Sequence, residues 1–150
     1  MSAPEGAAIG RWCAAALILC NGRYLMQRRD EKPGILLPGH WGLFGGSIDP
    51  GENAATAIRR ELLEELEFAP RLATLFTEME IVLPLTPPRR DRMSFFIVPC
   101  EPAEFAALVQ HEGSGMRLFA ASELAREARV APWDLAIVLM HARRNALFGG

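Results

Sequence analysis

Cysteine is scarce in this chain and poorly placed for a structural role. Cys13, Cys20 and Cys100 are odd in number, scattered, and free of metal-ligand spacing. A disulfide framework and a cysteine zinc site are therefore excluded, and the three read as buried thiols in a reducing compartment, the cytoplasm. Basic tracts are missing as well. The formal net charge is −2, so nothing recommends a nucleic-acid partner. Long apolar runs are also lacking: Trp12 to Cys20 is too short for the roughly 20 residues that a membrane helix needs. No Lys or Arg precedes Arg11, and Ala14 to Ala16 lie inside that run, not after it, so it does not read as a signal peptide. No serine or cysteine stands beside a histidine in a local arrangement that would mark a covalent nucleophile. Repeats, linkers and low-complexity segments are absent.

What remains suits one globular domain spanning 1–150, with half of its residues hydrophobic and 23% charged. Met1 to Arg11 is small and polar and is expected to fray. Trp12 to Cys20 reads as a buried strand, turned by Asn21-Gly22 into a hairpin strand from Tyr24 to Arg29. Asp30 to His40 carries Pro33, Gly34, Pro38 and Gly39 and is a loop of the kind that often bears binding residues. Trp41 to Phe44 is a short strand feeding Gly45 and Gly46. Leu75 to Leu83 and Met93 to Val98 alternate as strands, joined through Pro87-Pro88 and a charged turn. A short helix over Ala103 to Gln110, a strand over Met116 to Ala120, and a helix capped by Ser122 follow. Asp134 to Leu147 is a final helix with Leu135, Val138, Leu139 and Ala142 inward. Mixed strands with interspersed helices predict a layered α/β domain.

Gly45 to Phe68 is the most informative stretch. Asp49-Pro50-Gly51 dictates a turn, because Pro50 fixes φ and Gly51 tolerates positive φ. Asn53 to Leu66 contains no Gly or Pro and is dominated by strong helix formers. Ala55, Ile58, Leu62 and Leu66 form an apolar stripe that should face a core. Glu61, Glu64 and Glu65, at i, i+3 and i+4, converge on a neighbouring stripe where like charges repel. Arg60 points away and can compensate only from the side. A hard divalent cation with oxygen ligands, Mg²⁺ first and Mn²⁺ as the alternative, answers that repulsion. An acidic helix alone is an ordinary solvated face. The glycine loop at fixed spacing ahead of it changes the reading.

That spacing is Gly46, five residues, Glu52, seven residues, Arg60-Glu61-Leu62, one residue, Glu64-Glu65. It resembles the signature box of the Nudix hydrolases, G-x5-E-x7-R-E-U-x-E-E-x-G-U, where U is bulky and apolar. Phe68 matches the closing apolar position, and Glu67 stands where the family has its second glycine. The resemblance implies a Nudix-like α/β/α sandwich around a mixed β-sheet. It further implies a pyrophosphohydrolase that needs Mg²⁺ and cleaves, with water, a nucleoside diphosphate linked to another moiety. By the family pattern Glu64 and Glu65 are direct metal ligands, and Glu61 binds metal or takes the water's proton. The carbonyl of Gly45 is a further ligand. Gly46, Glu52 and Arg60 have supporting roles, Glu52 and Arg60 by ion pairing; a plain surface pair is the other reading of Glu52.

Outside the box, Glu112 lies in a glycine-flanked loop where some family members carry a metal-binding or catalytic glutamate; otherwise it is a solvated loop acid. Its neighbour His111 reads as a surface histidine. Arg28 and Arg29 end the second strand on opposite faces, and one of them, Arg29 in preference, could reach a phosphate. Trp41 and Trp133 are base-stacking candidates or core residues. The only tyrosine is Tyr24, so the dinucleoside polyphosphate subgroup, with its tyrosine beyond the box, is disfavoured. Pro84 lies where ADP-ribose enzymes tend to carry a proline, and a nucleoside triphosphate substrate stands equal with it. The expected partner is a small nucleotide, with neither nucleic acid nor membrane; homodimerisation stays open. A catalytically dead nucleotide sensor and a plain metal-binding or interaction domain are the rival readings, but a sensor would be expected to lose box carboxylates that this chain keeps. At the helix end, Pro70 forces a stop, which leaves Glu67 as the last helical residue or as a left-handed cap; the cap is preferred because Phe68 must turn into the core.

Overall fold

The structure, a computed structural model, describes residues 9–145. Its elements in order are β1 (Arg11–Cys20), β2 (Arg23–Arg28), β3 (Trp41–Gly42), β4 (Phe44–Ser47), α1 (Ala54–Leu66), β5 (Thr74–Leu83), β6 (Arg89–Pro99), α2 (Pro102–Ala106), β7 (Gly115–Phe119), α3 (Ala121–Leu124) and α4 (Pro132–Ala142). The strands build one seven-stranded mixed sheet in the order β3-β2-β1-β6-β5, with β4 added to β1 and β7 to β2. The β1–β6 pair is parallel and the other pairs are antiparallel.

β1 is the central strand, and its sequence shows why. Alternate residues feed opposite cores, and both sets are apolar. Ala14, Ala16 and Ile18 pack towards Ile58, Leu62 and Leu66 of α1. Ala15 and Leu17 pack towards Ile137 and Val138 of α4. Helices therefore cover both faces, giving an α/β/α sandwich. The adjacent Phe95 and Phe96 divide between the same two cores. Asn21 and Gly22 turn the β1–β2 hairpin with φ of 51° and 74°, the conformation that a two-residue turn demands. No described helix is long and apolar enough to cross a membrane.

Several expectations need correcting. Gly45 and Gly46 are not a loop after a strand; they lie inside β4, paired with Ala15 and Ala14 of β1. The expected charged turn at Arg89 to Arg92 is the start of β6, where Arg90 and Arg92 pair with Glu80 and Glu78 across the ladder. α2 stops at Ala106 instead of running to Gln110. α3 starts at Ala121, so Ser122 is inside it and Ala120 is the cap. On α1 Ala55 is exposed, and Ala57 joins Ile58, Leu62 and Leu66 inside. α4 is rotated by one position: Asp134, Ile137, Val138 and His141 are buried, whereas Leu139 and Ala142 are exposed. Cys13 is half-buried, and Cys20 and Cys100 are buried. The stretch expected to fray lies outside the described residues up to position 8, and Arg11 already belongs to β1. Leu147 also lies outside them.

Candidate active site

The turn before α1 forms as its residues dictate: Glu52 N–H donates to the Asp49 carbonyl at 3.0 Å, and Gly51 has φ of 80°. Asn53 caps the helix by accepting from Thr56 N–H at 2.8 Å. Arg60 then ties loop to helix. Its guanidinium grips Glu52 with two bonds of 2.8 and 2.9 Å, donates to the Ser47 carbonyl at 3.0 Å, and reaches Glu61 at 2.9 Å and Glu64 at 3.3 Å. This corrects the expectation that Arg60 helps only from the side, because its long stem brings the charge back between two carboxylates. The Arg60 bonds hold the Glu52 carboxyl down at about 2.

Glu65 lies on the inner side of the same helix and is 4% exposed. Its Oε2 accepts from the Gly45 N–H at 3.2 Å, while its Oε1 is buried without a partner. Burial first, then the neighbouring carboxylates of Glu112 and Glu61, push its pKa well above the usual carboxylate range. Close approach requires a glycine at position 45 and gives Glu61 its room at position 46. A Cβ on Gly45 would overlap the Ala14 carbonyl oxygen, and one on Gly46 would stand 2.5 Å from Oε1 of Glu61. The structure thus gathers Glu61, Glu65 and Glu112 beside Gly45 and Gly46. Glu64 is set apart, its side chain 59% exposed on the Arg60 flank.

Among the described residues no three carboxylate, histidine or cysteine side chains form a ready metal cage. The donor chemistry nevertheless fits a hard cation. All the donors are oxygens, like charges crowd Glu65, and one buried oxygen has no partner.

A cavity of about 230 Å³ opens against these groups. Gly45, Gly46 and Glu112 form one wall, and Arg11, Arg29 and Trp133 form others. Arg29 is steered by a 2.8 Å bond from Nε to the Leu36 carbonyl. Arg28 is exposed, and its carbonyl accepts from Ser114 N–H at 2.9 Å. Trp41 packs edge-on against Phe119 at 5.0 Å, among the core side chains. Neither Arg28 nor Trp41 lines the cavity. A larger, open depression of about 450 Å³ beside Trp12, Ile48 and Pro50 is lined by none of Glu61, Glu65 and Glu112, whereas the smaller cavity has Glu112, Gly45 and Gly46 on its wall.

Four charged cavity residues escaped the sequence reading. Arg11 ends the stretch expected to fray, yet it donates to Ser47 Oγ at 2.8 Å. Arg89 and Asp91 were assigned to a turn and instead form a two-bond ion pair of 2.9 and 3.0 Å on the cavity wall. Asp134 is 6% exposed, accepts from Leu43 N–H at 3.0 Å, and has a second oxygen without a partner. Burial pushes its pKa up to about 7, against the lowering effect of the Leu43 bond and of Arg29. The only available signal for Asp134 was its place in the i, i+3, i+4, i+7 set with Ile137, Val138 and His141.

Comparison with known proteins bears on family and fold. The NUDIX domain profile matches residues 10–139. Nucleoside triphosphatase NudI of Escherichia coli is 41% identical over 56 residues, a stretch that covers 37% of this chain and 39% of NudI. The MutT NUDIX hydrolase of Burkholderia pseudomallei superposes with a TM-score of 0.70 at 23% identity, over 86% of this chain and 95% of that one. The E. coli ORF135 protein does so with a TM-score of 0.73 at 23% identity, over 96% and 97%. Together the box, the sandwich and the matched profile place the chain: it belongs to the Nudix family.

Proposed function

We propose that this protein is a pyrophosphohydrolase that uses water and a divalent metal ion to cleave a diphosphate bond in a nucleotide, with a nucleoside triphosphate as the favoured substrate. The observation that carries this reading is the buried Glu65. It lies beside Glu61 and Glu112, and Glu112 shares a cavity with Arg11 and Arg29. A carboxylate of the cluster that would hold a cation and cationic groups for phosphate thus share one space, with Gly45 and Gly46 on the same wall. The triphosphate preference draws support from the NudI match. Pro84, the feature that favoured ADP-ribose, is exposed and does not line the cavity.

Glu61, Glu65 and Glu112, with the Gly45 carbonyl and Glu64 at the flank, would hold Mg²⁺ or Mn²⁺. Such an ion neutralises phosphate charge and acidifies a bound water. The protein's own residues do the rest. Arg29 and Arg11 bind phosphate oxygens. Trp133 offers an aromatic face to the base. Glu61 is immobilised by Arg60 and by its fit over Gly46, so Glu112 is the residue assigned to take the water's proton. Water adds across the P–O–P link, and the two phosphate products leave without a covalent enzyme intermediate. Three free thiols suit a reducing compartment, the cytoplasm.

The test is a phosphate-release screen over nucleoside triphosphates, nucleotide sugars and dinucleotides, with and without Mg²⁺. The proposal expects a nucleoside monophosphate and pyrophosphate from a triphosphate, only with metal. Thermal protection by nucleotides without hydrolysis of any of them would establish a binding sensor instead.

A further inference from the structure

The end of α1 contains two local costs that lead to the loop carrying Glu112. Glu67 follows the helix with φ of 53° and ψ of 35°, a left-handed conformation that favours glycine. It also places a carboxylate at the negative end of the helix dipole. Both costs fall on a residue whose side chain meets a partner: Nε2 of His111 donates to Glu67 Oε2 at 2.8 Å. The contact continues through the backbone. His111 N–H donates to the Glu65 carbonyl at 2.8 Å, and Val109 N–H to the Leu66 carbonyl at 3.1 Å. These bonds satisfy carbonyls that the helix leaves open. Within the loop, Gln110 Nε2 donates to the carbonyls of Glu112 and Gly115 at 2.8 and 2.9 Å. Ser114 N–H closes the far side on the Arg28 carbonyl at 2.9 Å.

We propose that the Glu67–His111 pair is a clasp that holds the loop, and with it Glu112, against the end of α1 where Glu65 projects. Glu67 and His111 are positioning residues: each acts through the loop and neither lines the cavity. The pair is half-exposed, with side chains 55% and 53% accessible, so its value lies in direction more than in strength. Its consequence for metal binding rests on the proposed role of Glu112 as a ligand.

Two variants separate the clasp from simpler effects. His111→Ala opens it while keeping the Glu67 charge; electrostatics alone would then leave Mn²⁺ affinity unchanged or higher. Glu67→Gly opens it while removing the left-handed strain, so the fold is secure. In both, the clasp predicts faster amide hydrogen exchange at position 111 and at Ser114, relative to the intrinsic rate of the residue present. It also predicts that Mn²⁺ binding, read by titration calorimetry on the full chain, weakens by about 5-fold or more, and that this loss disappears in a Glu112→Gln background. Unchanged exchange at position 111 and at Ser114 would overturn the clasp, as would an equal loss of affinity with and without Glu112. If Glu112→Gln alone leaves Mn²⁺ binding intact, the ligand role of Glu112 fails, and the clasp still stands or falls on the exchange rates.

Discussion

Gly45 and Glu65 are joined by a 3.2 Å hydrogen bond between elements twenty positions apart in the chain, with the β4 amide donating to a buried carboxylate of α1. That bond sets the helix against the strand at the point where the other oxygen of Glu65 is left without a partner. Burial and the neighbouring carboxylates favour the protonated form of Glu65, and a bound cation would offset that cost and hold the carboxylate ionised.

Glu65→Gln keeps size and an acceptor for the Gly45 amide while removing the ionisable carboxyl. In metal-free buffer near neutral pH the urea midpoint should rise, because folding no longer has to protonate a carboxyl whose pKa is raised by burial, Glu112 and Glu61. Activity should fall by about 100-fold or more, the scale of losing a metal ligand. A variant that retains near-full activity in Mg²⁺ would remove Glu65 from the ligand set.

Gly46→Ala tests the cradle under Glu61. The new Cβ would stand 2.5 Å from a carboxylate oxygen, closer than van der Waals contact allows, so the Glu61 side chain must shift. Metal affinity and kcat should both fall by about 10-fold or more, while the far-UV spectrum stays that of the parent. Unaltered kinetics would show that the position of Glu61 is unimportant.

Arg60→Gln removes the guanidinium that binds Glu52, Glu61 and Glu64. The Glu52 carboxyl is held at about 2, below its ordinary 4.5. A depressed folded pKa contributes stability above the unfolded value and loses it as pH falls through the folded one. Urea midpoints of parent and variant should therefore differ at pH 7 and converge as pH drops from about 4.5 towards about 2. A gap that stays constant over that window would assign the loss to packing alone.

Asp134 carries the opposite sign. Its folded pKa of about 7 lies above the ordinary 3.8, so the folded state binds the proton more tightly. Its contribution to stability then declines as pH rises from about 3.8 to about 7 and levels off above. Asp134→Asn should remove that contribution, flattening the profile over this window, while keeping an acceptor for the Leu43 amide. Parallel pH profiles of the urea midpoint for parent and variant would contradict the assignment.

The particular residues show how much of this was legible in advance. The α1 box, the Asn21-Gly22 turn and the apolar β1 could be read because their signals are local: fixed spacing, a special turn and an unbroken apolar run. The left-handed Glu67 was legible too, since Pro70 forces the stop and Phe68 must turn into the core. The rotation of α4 was not. Asp134 and His141 occupy buried positions that hydrophobicity assigns to the surface. Each is held by a distant partner: Leu43 N–H for Asp134, and the Tyr24 hydroxyl at 2.7 Å for His141. Arg11, Arg89 and Asp91 join the cavity only because β1 and β6 are parallel neighbours, with Arg11 in register with Asp91. Such a pairing across eighty positions leaves no local trace. Glu112 was a candidate by its glycine-flanked loop, but its place beside Glu65 depends on that loop docking on the end of α1.

Single-turnover hydrolysis of a nucleoside triphosphate in ¹⁸O-labelled water, with Mg²⁺ present, tests the central claim most directly. Attack by water at phosphorus predicts one ¹⁸O in a phosphate product of the parent protein, and no comparable turnover from Glu65→Gln. A phospho-enzyme trapped on the path to the labelled product, or labelled turnover undiminished in Glu65→Gln, would contradict it.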